Sequence, residues 1–143
     1  MKLVIDACIF VAEQIREQAE HQAAQTLLKT CVERKVQLFA PALVLAEVAA
    51  AVARLTQQPS LGEVGALRVS HLLRLAFRHI DLPFANVAAR LAARHGLHGA
   101  DSHYVALARE LRCQLITNDE EILRRCPPTT TVLRPDAWLQ RLA

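Results

Sequence analysis

The sequence predicts one α/β domain over residues 1–143 with a mainly parallel sheet, and three observations predict it. Short apolar runs alternate with longer segments of helical periodicity, as in successive βα units. A chain of 143 residues is long enough to bury roughly 70% of its unfolded surface in one core. No repeat, low-complexity tract or linker-like stretch divides it.

Each element follows in order. Leu3–Ile5 is an apolar run before a carboxylate and reads as a buried strand ending at Asp6. Residues 13–34 read as one helix, with Ala19, Ala23, Leu27 and Cys31 on one side. Val36–Phe39 is a second strand. Pro41 suits a helical first turn, which predicts an apolar helix over 42–55. Ser60 and Glu63 match a capping box and open a third helix through Phe77. Residues 79–82 have strand character, and Pro83 starts a helix that ends near Gly96. Residues 101–111 are helical, 114–117 form a strand, and Asp119 opens a short helix to Arg125. Pro127-Pro128 stops that helix, 131–133 make an edge strand, and 135–142 a last short helix.

Composition bounds the function. With 52% hydrophobic and 22% charged residues, 4 Gly and 6 Pro, collagen-like and disordered classes are excluded. The formal charge of +3 is compatible with an anionic partner without identifying one. Lys2, Lys29 and Lys35 are the only lysines, and every other fixed positive charge is arginine. Arginine suits bidentate phosphate contacts, although GC-rich codons produce the same bias. No run approaches the ~18 apolar residues of a membrane span, and Asp6 interrupts the N-terminal apolar run. Export and membrane association are therefore not expected. Cys8, Cys31, Cys113 and Cys126 form no CxxC pair, which predicts free thiols in the cytoplasm, with a Cys113–Cys126 disulfide as the alternative.

The acids carry the chemistry. Ligands of open α/β sheets bind beyond the carboxyl ends of the strands. Asp6 and Asp119 both fall there. Asp101 begins a helix, where a carboxylate serves either as a cap or as a ligand. Glu47 is the only charged residue in the apolar stretch from Pro41 to Ala53 and needs a partner or a cation. Each has an ordinary reading: a cap for Asp119 and Asp101, a turn bond for Asp6, an ion pair with Arg16 or Arg54 for Glu47. Carboxylates that converge repel one another unless a divalent ion neutralises them, and hard oxygen ligands suit Mg²⁺ or Mn²⁺.

Four segments resemble the PIN-domain family: Leu3-Val4-Ile5-Asp6-Ala7, Leu45-Ala46-Glu47-Val48, Gly99 to Ala108, and Leu115-Ile116-Thr117-Asn118-Asp119. They occur in family order along the whole chain. The resemblance implies a three-layer α/β/α sandwich. It also implies that Asp6, Glu47, Asp101 and Asp119 hold Mg²⁺ or Mn²⁺ in a ribonuclease, with Thr117 as the hydroxyl ahead of the last acid. Small members of this size are commonly VapC-type toxins, which implies metal-assisted hydrolysis of RNA, a small antitoxin partner and a homodimer. The alternative is a non-catalytic RNA- or protein-binding module of the same fold, because Cys8 stands where the family often has Ser or Asn. A DNA-directed nuclease is a further alternative. Arg16 and Arg94 are candidate phosphate contacts, with a solvated helix face as their ordinary reading. His95, His98 and His103 near Asp101 read as solubilising loop residues or minor substrate contacts rather than zinc ligands. Tyr104 reads as a packing residue.

Overall fold

A computed structural model describes all 143 residues. Five strands, β1 (Lys2–Ile5), β2 (Gln37–Pro41), β3 (Leu75–Arg78), β4 (Gln114–Ile116) and β5 (Val132–Leu133), form one sheet in the order β3-β2-β1-β4-β5. Every pairing is parallel. β1 is central because Leu3, Val4 and Ile5 are all fully buried and can pack helices on both faces. Val4 sits beside Phe39 on one side and Leu115 on the other.

Eight helices connect and cover the strands: α1 (Ala7–Gln14), α2 (His21–Glu33), α3 (Val44–Thr56), α4 (Pro59–Ser70), α5 (Leu82–His95), α6 (Gly99–Leu111), α7 (Glu120–Arg125) and α8 (Pro135–Gln140). Helices α1 to α4 pack on one another, whereas α6 packs on β1, β2 and β4 with α5 outside it. This is the three-layer α/β/α arrangement. The strand order reverses at β1, so the crevice between β1 and β4 is the topological switch point of the sheet. Asp6 and Thr117 directly follow the two strands that flank it.

The helices that carry the acids are held closely. On α4, a Cβ at Gly62 would strike the carbonyl oxygen of Ala49 and lie 2.9 Å from Ala53 Cβ. Glycine lets α4 lie directly on α3, the helix of Glu47. The α5–α6 turn places Gly96 at φ 64, and this left-handed residue ends α5 before α6 begins at Gly99.

The structure corrects several boundaries. Residues 13–34 are not one helix, because α1 ends at Gln14 and α2 starts at His21. The intervening chain has neither Gly nor Pro to mark it. Instead the His21 ring bonds the Ala12 carbonyl at 2.8 Å, satisfying an orphan acceptor at the end of α1. Ala19 is exposed in this connection. Pro41 closes β2 rather than opening a helix, and α3 starts at Val44. Helix α4 begins with Gln58 at the N-cap position and Pro59 at N1, without a side-chain cap, so the Ser60–Glu63 box does not form. The third helix does not reach Phe77. It ends at Ser70, and Leu75–Arg78 becomes β3 in place of the strand expected at 79–82. The run from Leu72 to Phe77 fits both helical and strand periods, and pairing with β2 decides it. Asp81 then caps α5 by accepting from Phe84 N at 2.9 Å.

Candidate active site

All four acids line one cleft of about 520 Å³, together with Ala7, Cys8, Val11, Gln18, Ala46, Ala50, Ala51 and Arg54. β1 delivers Asp6, α3 delivers Glu47, the first turn of α6 delivers Asp101, and the turn after β4 delivers Asp119.

Asp6 is the most buried of the four, at 5% exposed. Its Oδ2 accepts from the Thr117 hydroxyl at 2.5 Å and from the Cys8 thiol at 3.1 Å. Thr117, fully buried, in turn accepts from Asp119 N–H at 2.9 Å, and Cys8 Sγ accepts from Asn118 N–H at 3.4 Å. The turn after β4 is thereby tied to the turn after β1. Burial nonetheless raises the Asp6 pKa above the usual carboxylate range, against these two hydrogen bonds, and nearby Asp119 adds to the rise. Burial, followed by the charge of Asp6, also raises the Cys8 thiol well above its ordinary range, so it is a thiol rather than a thiolate.

The ordinary readings divide. Asp119 is indeed a cap, for its Oδ1 accepts from Glu121 N at 2.8 Å and Ile122 N at 3.0 Å. This leaves Oδ2 uncommitted. Asp101 is not a cap: His98 holds that position, and no side-chain cap bond forms. Burial, with Asp119 and Asp6 nearby, pushes Asp101 up to about 6. Glu47 pairs with neither Arg16 nor Arg54. Its Oε1 accepts from the Tyr104 hydroxyl at 2.6 Å. Burial still pushes it up to about 6, with Asp6 and Asp101 contributing. Tyr104 is fully buried, so it packs as expected and also holds a carboxylate.

Neither Arg16 nor Arg94 lines the cleft, and Arg94 instead borders a small hollow with Arg90 and Arg109. His103 bonds the Gly99 carbonyl at 2.6 Å and packs on Phe84. Gln18 lines the cleft with no sequence signal to mark it, and Arg54, which the sequence offers only as an ion-pair partner for Glu47, lines it without forming that pair. Arg54 stands seven residues after Glu47, which puts it on the same face of α3. That spacing was the available signal.

The donor set fits a hard cation: four carboxylates in one cleft, three held above their ordinary range by burial and by one another. As they stand, no three such side chains converge on one point, so binding requires them to turn inward.

A parallel α/β sandwich with carboxylates gathered at its switch point defines the class of this protein. The PIN domain family matches residues 3–126, and the chain belongs to it. Among solved structures, PAE2754 from Pyrobaculum aerophilum is 19% identical, with 99% of this chain and 95% of that chain covered at a TM-score of 0.69. Mycobacterium tuberculosis VapC20, a Sarcin-Ricin loop cleaving toxin, is 17% identical over 78% of this chain and 85% of its own, with a TM-score of 0.65. VapBC2 from Rickettsia felis, bound to a DNA fragment from its promoter, is 16% identical over 94% and 98%, with a TM-score of 0.67. No curated protein matches the chain by sequence.

The raised carboxylates make a stability prediction. Asp101 titrates at about 6 in the folded chain but near ~4 when unfolded. The folded state therefore binds its proton more tightly, and stability is lost as pH rises through that window. In EDTA at neutral pH, Asp101→Asn raises the melting temperature by a few degrees, and the difference from the parent closes as pH falls toward 4. A variant no more stable than the parent at neutral pH contradicts this reading of the cleft.

Proposed function

We propose that this protein is a divalent-metal-dependent endoribonuclease that hydrolyses RNA phosphodiester bonds, and that it is the toxin of a toxin–antitoxin pair. The observation that carries the reading is the cleft itself. Four carboxylates from separate elements share it, and no ion pair neutralises any of them. Membership of the PIN domain family and the likeness to VapC20, a Sarcin-Ricin loop cleaving toxin, support it.

Asp6, Glu47, Asp101 and Asp119 would hold Mg²⁺ or Mn²⁺, which supplies a Lewis acid for the phosphate and lowers the pKa of the attacking water. The chain's own residues set the geometry. Thr117 and Cys8 fix Asp6 by both donating to Oδ2. Tyr104 fixes Glu47 in the same manner. The turn of Asn118 and Asp119 is locked by backbone donors to Cys8 and Thr117. These are the supporting bonds that orient ligating side chains. Cys8 therefore takes part in the site as a hydrogen-bond donor to Asp6, a role open to Ser or Asn. This weakens the alternative of a non-catalytic module, which has no need to keep four mutually repelling acids in place.

The toxin reading brings partners. A groove of about 620 Å³ between α1, α2 and α4, lined by Phe10, Leu28, Val32, Val69 and Leu72 among others, is where we place a small antitoxin. Leu61, Val64 and Leu67 recur every third residue on α4, all exposed, and Leu55 of α3 is exposed as well. This stripe supports a homodimer. All four cysteines are free, in keeping with a cytoplasmic protein. No helix is long and apolar enough to cross a membrane.

Incubated with Mn²⁺ or Mg²⁺, the purified chain is expected to cleave RNA. EDTA or Asp101→Asn abolishes cleavage, with circular dichroism of the variant unchanged. Cleavage that survives EDTA, or metal-dependent cleavage of DNA alone, overturns the ribonuclease reading. Light scattering of the same preparation should return the mass of two chains, and a monomer at micromolar concentration removes the homodimer.

A further inference from the structure

The cleft continues past the carboxylates along α3. Ala46, Glu47, Ala50, Ala51 and Arg54 all line it and lie on one face of that helix. Arg54 comes two helical turns after Glu47, about 10 Å along the axis. Between them the helix presents only methyl groups, so this stretch of floor leaves room for a chain to be drawn in close. Val11 and Gln18, from α1 and the connection that follows it, complete this part of the cleft.

Arg54 is exposed and the only basic residue in the cleft. The protein's ion pairs all lie elsewhere: Lys29 with Glu33, Arg68 with Glu13, Arg78 with Asp81 and Glu110, Arg124 and Arg125 with Glu121, and Arg134 with Glu120. Its guanidinium is left without an acid partner, although four carboxylates share its cleft. The cleft is thus polar at both ends, with acids at the switch point and a fixed cation two turns away. No aromatic side chain lines it, so bases have no ring to stack on. What it offers a strand is charge and space for a backbone.

We infer that Arg54 is a substrate-positioning residue that grips a backbone phosphate flanking the one placed at the carboxylates, with Gln18 as a second polar contact to the strand. The inference rests on the ribonuclease reading above and deepens it. A guanidinium presents paired N–H donors to two phosphate oxygens, which a charge on a flexible amine does less well. Held at a second phosphate, the strand cannot slide, and the scissile bond stays over the acids. Recognition in this segment is by backbone and tolerates any base.

Equilibrium binding of a short fluorescent RNA strand tests this on the Asp101→Asn background in Mn²⁺, where the strand stays intact. Adding Arg54→Ala should weaken binding about ten- to a hundredfold, the range of one lost charge-assisted hydrogen-bonded contact. The slope of log affinity against log salt should shrink by about 0.7, the share of one single-strand phosphate contact. Arg54→Lys should restore the slope but only part of the affinity. Mn²⁺ affinity of the Arg54→Ala chain, read by electron paramagnetic resonance, should be unchanged or tighter, since a nearby positive charge is gone. Unchanged RNA affinity and salt slope overturn the inference, as does weaker Mn²⁺ binding, which would place Arg54 in support of the acids rather than on the strand. The two readings fail separately. If the parent chain cleaves no RNA yet binding still depends on Arg54, the ribonuclease reading falls and the strand contact stands. If cleavage occurs and binding ignores Arg54, the reverse holds.

Discussion

Holding several carboxylates together in a half-dry cleft is the constraint on which the rest of this structure depends. A buried acid without a counter-charge is costly, and each neighbour of the same sign adds to the cost. The fold meets this at Asp6 with two donors on one oxygen, from Thr117 and Cys8. It meets it at Glu47 with the Tyr104 hydroxyl, and at Asp119 with two backbone N–H groups of the next helix. Asp101 has no such partner and sits instead in the first turn of α6, where the helix dipole favours a negative charge. None of these devices neutralises the cluster. They fix individual carboxylate oxygens while leaving the acids without a counter-charge, and that unneutralised cluster is what motivates the proposed cation site.

The topology makes this arrangement possible. Because the strand order reverses at β1, the turns after β1 and β4 open side by side, and a carboxylate in each faces one crevice. The hydrogen bonds from Thr117 to Asp6 and from Asn118 to Cys8 join those turns directly. Gly62 lets α4 press on α3, and α3 presents Glu47 to the same crevice. The clustered acids therefore cost stability at this edge of the sheet, while the fully buried Leu3, Val4 and Ile5 supply the apolar packing that tolerates the cost.

Much of this was legible in the residues themselves. An acid at the end of an apolar run marks the rim of a parallel sheet, and that placed Asp6 and Asp119. A lone charge in an apolar helix signals a need for a partner, and that singled out Glu47. What was not legible came from contacts between elements distant in the chain. The break between α1 and α2 depends on His21 reaching the Ala12 carbonyl, which no local pattern announces. Leu75–Arg78 became a strand only because β2 was there to pair with it. The Tyr104 hydroxyl reaches Glu47 across a separation of 57 residues, so its second role was invisible beside its packing role. Cys8 read as a departure from a family pattern, yet the structure gives it the hydrogen bond to Asp6 that a hydroxyl would make. The fold was thus more legible than the site, since periodicity reports burial but not which polar groups meet.

The central claim is that the four-carboxylate cleft is a cation site. Crystals of the protein grown or soaked with Mn²⁺ and measured at the manganese absorption edge test it most directly. The account predicts an anomalous peak in the cleft, with oxygens of Asp6 and at least one of Glu47, Asp101 and Asp119 within direct ligation distance, between about 2.0 Å, as for Mg²⁺, and about 2.6 Å, as for Ca²⁺. A well-ordered cleft with no anomalous peak at saturating Mn²⁺, or a peak found only at some other surface, would contradict it.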